Sequence, residues 1–308
     1  MSLQITVVNV LLTLIYIVPG YILCKIKKAS ADHLPTLSSI LVYVCSPCMI
    51  VASFVSLPYS NENLTNMLLF FLASLLIQVG FMALVYGIFH KRMQDAKYRI
   101  LTLASVMGNV GFFGQPVLLA LLPGRPEVMC YSSMFMVSFN LLVFSMGVFC
   151  LTGDKKYISL KAAIINPTIL GFFAGFVLFL VNSSSFIPDE LFNCVQLLGK
   201  TTTPLCMFIL GIRLGAIPFK PLFTRPIVYL ICLGKLVLFP LFAYGCVYFL
   251  PFSDIFKSCI LILSSVPCAT VILGLAEIHH SETELSANSV LVSTLLCAVT
   301  MPVILLLL

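Results

Sequence analysis

Long apolar runs separated by short polar stretches repeat along the whole chain. A helix needs about 20 apolar residues to cross the hydrocarbon of a bilayer. Runs that meet this length lie near 5–24, 35–57, 65–89, 99–121, 129–151, 159–181, 189–212, 225–250, 255–276 and 286–307. The loops between them are short and leave almost nothing for a soluble domain. The first run is followed at once by further spans and lacks a basic leader and an A-x-A type site, so it reads as a retained helix. The pattern predicts an all-α polytopic membrane protein with ten transmembrane helices.

The second half of the chain replays the first at an offset of roughly 155–160 residues. Ser46-Pro47-Cys48-Met49 returns as Thr203-Pro204-Leu205-Cys206-Met207, and Gln78 is answered by Lys235. Ser105-Val106 is answered by Ser265-Val266, and Val137-Ser138 by Val292-Ser293, all in the same order. Residues 1–151 and 152–308 are thus expected to be two five-helix repeats. An odd number of spans brings the chain into the second repeat from the opposite side, so the halves are related by an axis in the membrane plane. Inverted repeats can present one site alternately to either face, which is a transporter architecture.

Composition settles the solvent. Of 308 residues, 60% are hydrophobic and 9% charged, with a mean hydropathy of +1.12. A water-soluble core could not hide that much apolar surface. The charges are asymmetric. Loops after odd-numbered spans carry Lys25, Lys27, Lys28, Lys91, Arg92, Lys97, Arg99, Lys155, Lys156, Lys161, Arg213, Lys220 and Arg225. Loops after even-numbered spans carry Arg125 and Lys257, and the bias places both termini outside the cell membrane. Topology therefore accounts for the net charge of +6, and no nucleic-acid partner is expected.

Two spans are interrupted at matching positions. The fourth contains Gly108-Asn109-Val110-Gly111-Phe112-Phe113-Gly114-Gln115-Pro116, and the ninth Ser264-Ser265-Val266-Pro267-Cys268-Ala269-Thr270 followed by Gly274. Proline removes a backbone donor and glycine lowers the cost of irregular dihedrals. Unwound backbone at membrane depth is tolerated only where protein or a watery cavity covers it. Paired interruptions in the two halves are the best sequence pointer to a substrate site, although a lone kink would need no function.

Here a family resemblance becomes specific. Asn109-Val110-Gly111-Phe112-Phe113-Gly114-Gln115-Pro116 resembles the Asn-Thr-x-x-x-Gly-x-Pro signature of the auxin efflux carrier family, with Val110 where that signature has Thr. Leu291 through Leu296, continuing to Thr300-Met301-Pro302, is similar to the family's last helix. Ile165-Asn166-Pro167, Pro204-Leu205 with Leu210-Gly211, and Lys235-Leu236 with Pro240-Leu241 extend the likeness over the whole chain. The resemblance implies two inverted five-helix repeats with spans four and nine crossing at their breaks, as in NhaA-type and bile-acid transporters. It further implies a scaffold (1–60 and 155–217), a transport domain (61–151 and 221–308) that slides like an elevator, and a site at the crossing. Plant members export auxin, and compact bacterial members resemble malate and malonate permeases. A homodimer through the scaffold helices is implied as well.

Two lysines fall within spans, Lys200 in the seventh and Lys235 in the eighth. A central lysine costs roughly 2.5–3.5 kcal/mol on insertion scales. Lys235 is expected either to supply positive charge for an organic anion or to stand in for a coupling cation; either lysine could instead snorkel or bond freed carbonyls. Asn109, Gln115, Asn140, Thr270, Ser293 and Thr294 supply neutral polar groups near the crossing, beside Gly111, Gly114, Pro116, Ser265 and Pro267 of the breaks. Two amides and the positive ends of half-helices suit a carboxylate. Asn140 could equally serve interhelical hydrogen bonding.

The remaining signals are weaker. Twelve cysteines, including Cys45-Ser46-Pro47-Cys48, are spread through apolar spans and read as small packing residues. Glu277-Ile278-His279-His280-Ser281-Glu282 reads as a solvated loop, and no metal or other cofactor is expected. Asn63-Leu64-Thr65 and Asn182-Ser183-Ser184 have the form of glycosylation sequons. The sequence reading is a secondary transporter of a small organic anion. The alternatives are a sodium-coupled bile-acid-type carrier, a membrane sensor on the same fold, and an intramembrane enzyme, which would need a catalytic pair at depth.

Overall fold

Every regular element among the described residues is helical, and the order of the elements follows the hydrophobic runs. The computed structural model describes residues 15–152, 167–182, 187–216, 225–279 and 281–308. The start of the first run, residues 153–166 with Lys155, Lys156, Lys161 and Asn166, the pair Ser183-Ser184, Lys220 and His280 lie outside the described residues. The helices are α1 (Ile17–Lys25), α2 (Ala31–Ser56), α3 (Asn61–Phe89), α4 (Ala96–Ala104), α5 (Val110–Leu121), α6 (Pro126–Cys150) and α7 (Pro167–Leu180). They continue as α8 (Asp189–Lys200), α9 (Thr202–Ala216), α10 (Pro226–Tyr248), α11 (Asp254–Ser264), α12 (Thr270–Ile278) and α13 (Thr283–Leu307). Six stretches, α2, α3, α6, α8 with α9, α10 and α13, are long and apolar enough to cross a membrane. The protein is a polytopic helical membrane protein.

Local chemistry sets where these helices begin and bend. Ser60 caps α3 by accepting the Asn63 N–H at 3.0 Å, Asp95 caps α4, and Ser253 caps α11 by accepting the Phe256 N–H. On the α4 approach, a hydrogen bond from Lys97 holds the Asp95 carboxyl below its ordinary pKa. Widened i→i+5 turns occupy Leu41–Cys45, Val110–Gly114 and Gly234–Leu238, and each shortly precedes a proline, Pro47, Pro116 or Pro240. A proline ring clashes with the carbonyl four residues back, and a wide turn relieves that clash.

The seventh run is one helical stretch, Asp189–Ala216, with a single turn residue, Thr201, between α8 and α9. The fourth and ninth runs are broken as their glycines and prolines predict, into α4 and α5 and into α11 and α12.

Packing sorts the helices into two groups. α1 lies on α9, and α2 lies on α7 and α8; α3 packs on α6 and α10, and α13 on α10 and α12. Each group has its own aromatic cluster. Phe54 of α2 meets Phe172, Phe176 and Phe179 of α7 edge-on, with ring centroids 5.6–6.3 Å apart. In the other group Phe70 of α3 stacks on Tyr131 of α6 at 4.6 Å, and Phe256 of α11 closes against both. Contact between α2 and α6 joins the two groups.

The α1–α9 contact depends on small residues, as helix pairs in lipid commonly do. A Cβ on Gly211 would collide with the Ile17 carbonyl oxygen, whereas one on Gly245 would meet nothing within 4 Å. Gly211→Val should therefore destabilise the detergent-solubilised protein by about 1–3 kcal/mol, the usual cost of overpacking. Gly245→Ala should leave the unfolding midpoint in place. Thermal unfolding followed by fluorescence of a thiol-reactive dye compares the two.

Candidate functional site

The two interrupted runs meet at their breaks. Residues 105–109 follow α4 and residues 265–269 follow α11, and the two extended pieces run antiparallel with Gly108 paired to Cys268. The pairing is reciprocal: the Asn109 N–H donates to the Pro267 carbonyl at 2.7 Å, and the Ala269 N–H to the Met107 carbonyl at 2.9 Å. Each break thus satisfies backbone groups that the other leaves open, which is how unwound chain survives away from water. Side chains brace the pair. The Ser293 hydroxyl accepts the Cys268 N–H at 2.9 Å and donates to the Val290 carbonyl at 3.0 Å, and the Cys268 thiol points to the Ala104 carbonyl at 3.5 Å.

Lys235 sits directly behind this crossing. It is completely buried, its ammonium donates to the Ser264 carbonyl at 2.6 Å, and it lies over the Phe239 ring at 4.6 Å from the centroid. A charge-assisted hydrogen bond contributes roughly 1.5–3 kcal/mol and a desolvated cation–π contact about 2. Together these are comparable to the roughly 2.5–3.5 kcal/mol cost of a lysine at this depth. Gly108 must be glycine for the lysine to fit. A Cβ there would stand 2.6 Å from Val266 and 3.1 Å from the Lys235 Cε and Nζ.

On the other side of the crossing lies a cavity of about 210 Å³. The breaks supply Gly108, Asn109, Gly111, Ala269 and Thr270 to its wall, α6 supplies Met136, Phe139 and Asn140, and α2 supplies Val42 and Ser46. Asn109 is 3% exposed and its side-chain oxygen accepts the Phe112 N–H at 3.3 Å, capping the turn into α5. Its Nδ2 is buried without a hydrogen-bond partner. A buried amide donor left unpaired costs about 1–3 kcal/mol. The α5 turn and α12 both start at the crossing, and helix N-termini favour negative charge. Asn140 also reaches the wall, with its Nδ2 donating to the Met136 carbonyl at 2.8 Å. Among the described residues, no acidic or basic side chain lines the cavity.

Several residues expected at the substrate are not among those lining this cavity. Ser293 and Thr294 are spent on the backbone, Thr294 donating to the Val290 carbonyl at 2.7 Å, and neither reaches the cavity. Ser265 donates to the Leu261 carbonyl at 2.6 Å, and Pro267 contributes its carbonyl to the crossing. Gln115, 1% exposed, has both amide atoms unpartnered but is not among the residues lining the cavity, nor are Gly114 and Pro116. Lys200 is not brought to the crossing at all. It is exposed at the end of α8, where its ammonium donates to Gln196 at 3.0 Å. Ser46, Gly108 and Thr168 of the wall were not singled out as contacts, though Ser46 stands in the repeated Ser-Pro step and Thr168 follows Asn166-Pro167. All twelve cysteines are free thiols.

Comparison with known proteins bears on the family of the chain. The sequence profile of the membrane transport protein family matches residues 5–162 and 155–305. The chain belongs to this family, which is the auxin efflux carrier family of the signature around Asn109. An uncharacterized transporter of Methanocaldococcus jannaschii is 26% identical over 292 residues, covering 92% of this chain and 93% of the relative. An uncharacterized transporter of Methanothermobacter thermautotrophicus is 24% identical over 300 residues, covering 96% and 95%. A member of the membrane transport protein family is a transporter rather than an enzyme.

The bracing of the crossing yields a paired prediction. Ser293→Ala leaves the buried Cys268 N–H without an acceptor and should destabilise the protein by about 1–3 kcal/mol. Thr294→Val removes only a hydroxyl bonded within its own helix and should stay within ~0.5 kcal/mol. Unfolding midpoints of the two variants in one detergent decide it.

Proposed function

We propose that this protein is a secondary transporter that carries a small organic anion, such as a carboxylate or auxin-like acid, through the cell membrane. The carrying observation is the buried, unpartnered Nδ2 of Asn109 at a cavity where two helix N-termini converge. A carboxylate accepts from such donors without needing a charged wall. In this reading the spans form two inverted five-helix repeats, with both termini outside. The packing groups serve as a scaffold, through which two copies pair, and a transport domain that slides past it in an elevator cycle. Gly111 and Thr270 complete the contact surface, and Asn140 orients the substrate from α6.

Lys235 acts as a built-in cation. Its ammonium binds the Ser264 carbonyl beside the crossing, one peptide behind the cavity, where a sodium-coupled carrier would need an ion. The crossing is therefore charged and complete without sodium.

Uptake of labelled malate, malonate and indole-3-acetate into proteoliposomes tests this, with and without sodium and pH gradients. We expect flux of at least one anion that is independent of sodium, falls at least tenfold in Asn109→Ala, and is lost in Lys235→Ala. Flux that appears only under a sodium gradient identifies a bile-acid-type carrier instead. Specific binding without flux of any of the three identifies a sensor.

A further inference from the structure

A second cleft, of about 500 Å³, opens between the two packing groups farther along α2. Its scaffold wall is α2 from Met49 to Ser56 and α8 at Gln196, Gly199 and Lys200; its opposite wall is the turn from α5 to α6, with Gly124 and Arg125. One face of α2 joins this cleft to the site. Leu34, Pro35 and Ser38 line an inner cleft, Val42 and Ser46 the crossing cavity, and Met49, Ser53 and Ser56 the second cleft. From Pro35 onward, steps of three and four residues keep these on one helical face. The inner cleft shares Phe112, Thr270 and Val271 with the crossing cavity, whereas the second cleft shares no lining residue with it. The crossing cavity thus adjoins the cleft at Leu34–Ser38 through shared walls, and among the described residues it has no wall in common with the second cleft.

The chemistry of the second cleft is cationic. Lys200 lies eleven residues into the run that begins at Asp189, roughly 16 Å along the helix. An exposed lysine at that depth cannot face lipid without a large penalty, so the cleft must bring water to it. Its ammonium has the neutral carboxamide of Gln196 as its partner, which leaves two N–H groups of the lysine and the Gln196 NH2 facing the opening. Arg125 stands across from it, 58% exposed and 3.6 Å from Glu127. Among the described residues, no carboxylate is in the lining. Ser53 and Ser56 donate to the Met49 and Ala52 carbonyls at 2.8 Å, so among the described residues the side-chain donors left in the wall are Lys200, Gln196, Arg125 and the Thr203 hydroxyl.

We propose that this cleft is an anion-binding vestibule, in which Lys200 and Arg125 collect a carboxylate on the far side of the barrier from the crossing cavity. The identity of the ligand rests on the anion-carrier reading; the charge and position of the vestibule do not. Lys200 thereby acts at a second site along the same path.

A thiol placed at Ser53 reads the local potential directly. In Ser53→Cys, an anionic sulfonate methanethiosulfonate should label faster, relative to a cationic trimethylammonium reagent, than it labels the exposed Cys194. Labelling is quantified at each peptide by mass spectrometry, so the native thiols stay. Adding Lys200→Gln should lower the anionic-to-cationic ratio at position 53 about fivefold, as should adding Arg125→Gln. Millimolar malonate should slow labelling in Ser53→Cys and lose that effect in the Lys200→Gln background. A ratio unchanged within twofold by either substitution, or labelling indifferent to malonate, overturns the vestibule. Malonate flux measured in parallel separates the two ideas: flux without protection sinks the vestibule alone, and protection without flux sinks the malonate-carrier reading alone.

Discussion

Two hydrogen bonds between broken helices hold the functional centre together. The Asn109 N–H meets the Pro267 carbonyl, and the Ala269 N–H meets the Met107 carbonyl. Each break alone would strand polar backbone in an apolar interior, at several kcal/mol per unsatisfied group. Paired, they form one small antiparallel unit that needs no water. Everything nearby follows from protecting it. Ser293 pins the Cys268 amide, Gly108 allows close approach, and Lys235 takes up the Ser264 carbonyl at the end of α11.

The crossing also separates two tasks that a charged site would merge. Positive charge is kept behind the backbone, fully buried on Lys235, while the cavity in front presents one amide donor, helix ends and apolar side chains. A bare lysine in the cavity would bind a carboxylate tightly and release it slowly. A cation screened by a peptide, acting with dipoles, favours an anion more mildly. That balance suits a carrier, which must let its cargo go. The second cleft reverses the arrangement, with Lys200 and Arg125 exposed in its wall.

Much of this was legible in the sequence because membrane helices announce themselves by length and because glycine and proline mark their breaks. Asn109, Gly111, Asn140 and Thr270 were read as contacts, and all four line the cavity. Ser293, Thr294, Ser265 and Pro267 were read the same way, but their polar atoms are consumed by nearby backbone groups. Sequence shows that a hydroxyl exists, not which carbonyl it serves. Lys200 illustrates the other limit. Its position within a hydrophobic run suggested burial, but it is exposed where α8 ends, beside a cleft that Gly124, Arg125 and the Met49–Ser56 part of α2 also line. That cleft comes from contacts between segments more than 60 residues apart, which no local pattern records.

A crystal structure of the protein with bromomalonate would test the central claim directly, because bromine's anomalous signal marks the ligand without interpretation of weak density. The account predicts a peak in the crossing cavity, with a carboxylate oxygen within about 3 Å of the Asn109 Nδ2. A peak at Lys200 and Arg125 in addition would agree with the vestibule. Bromine found only outside both places, with the crossing cavity empty at saturating ligand, would contradict the assignment of the helix crossing as the substrate site.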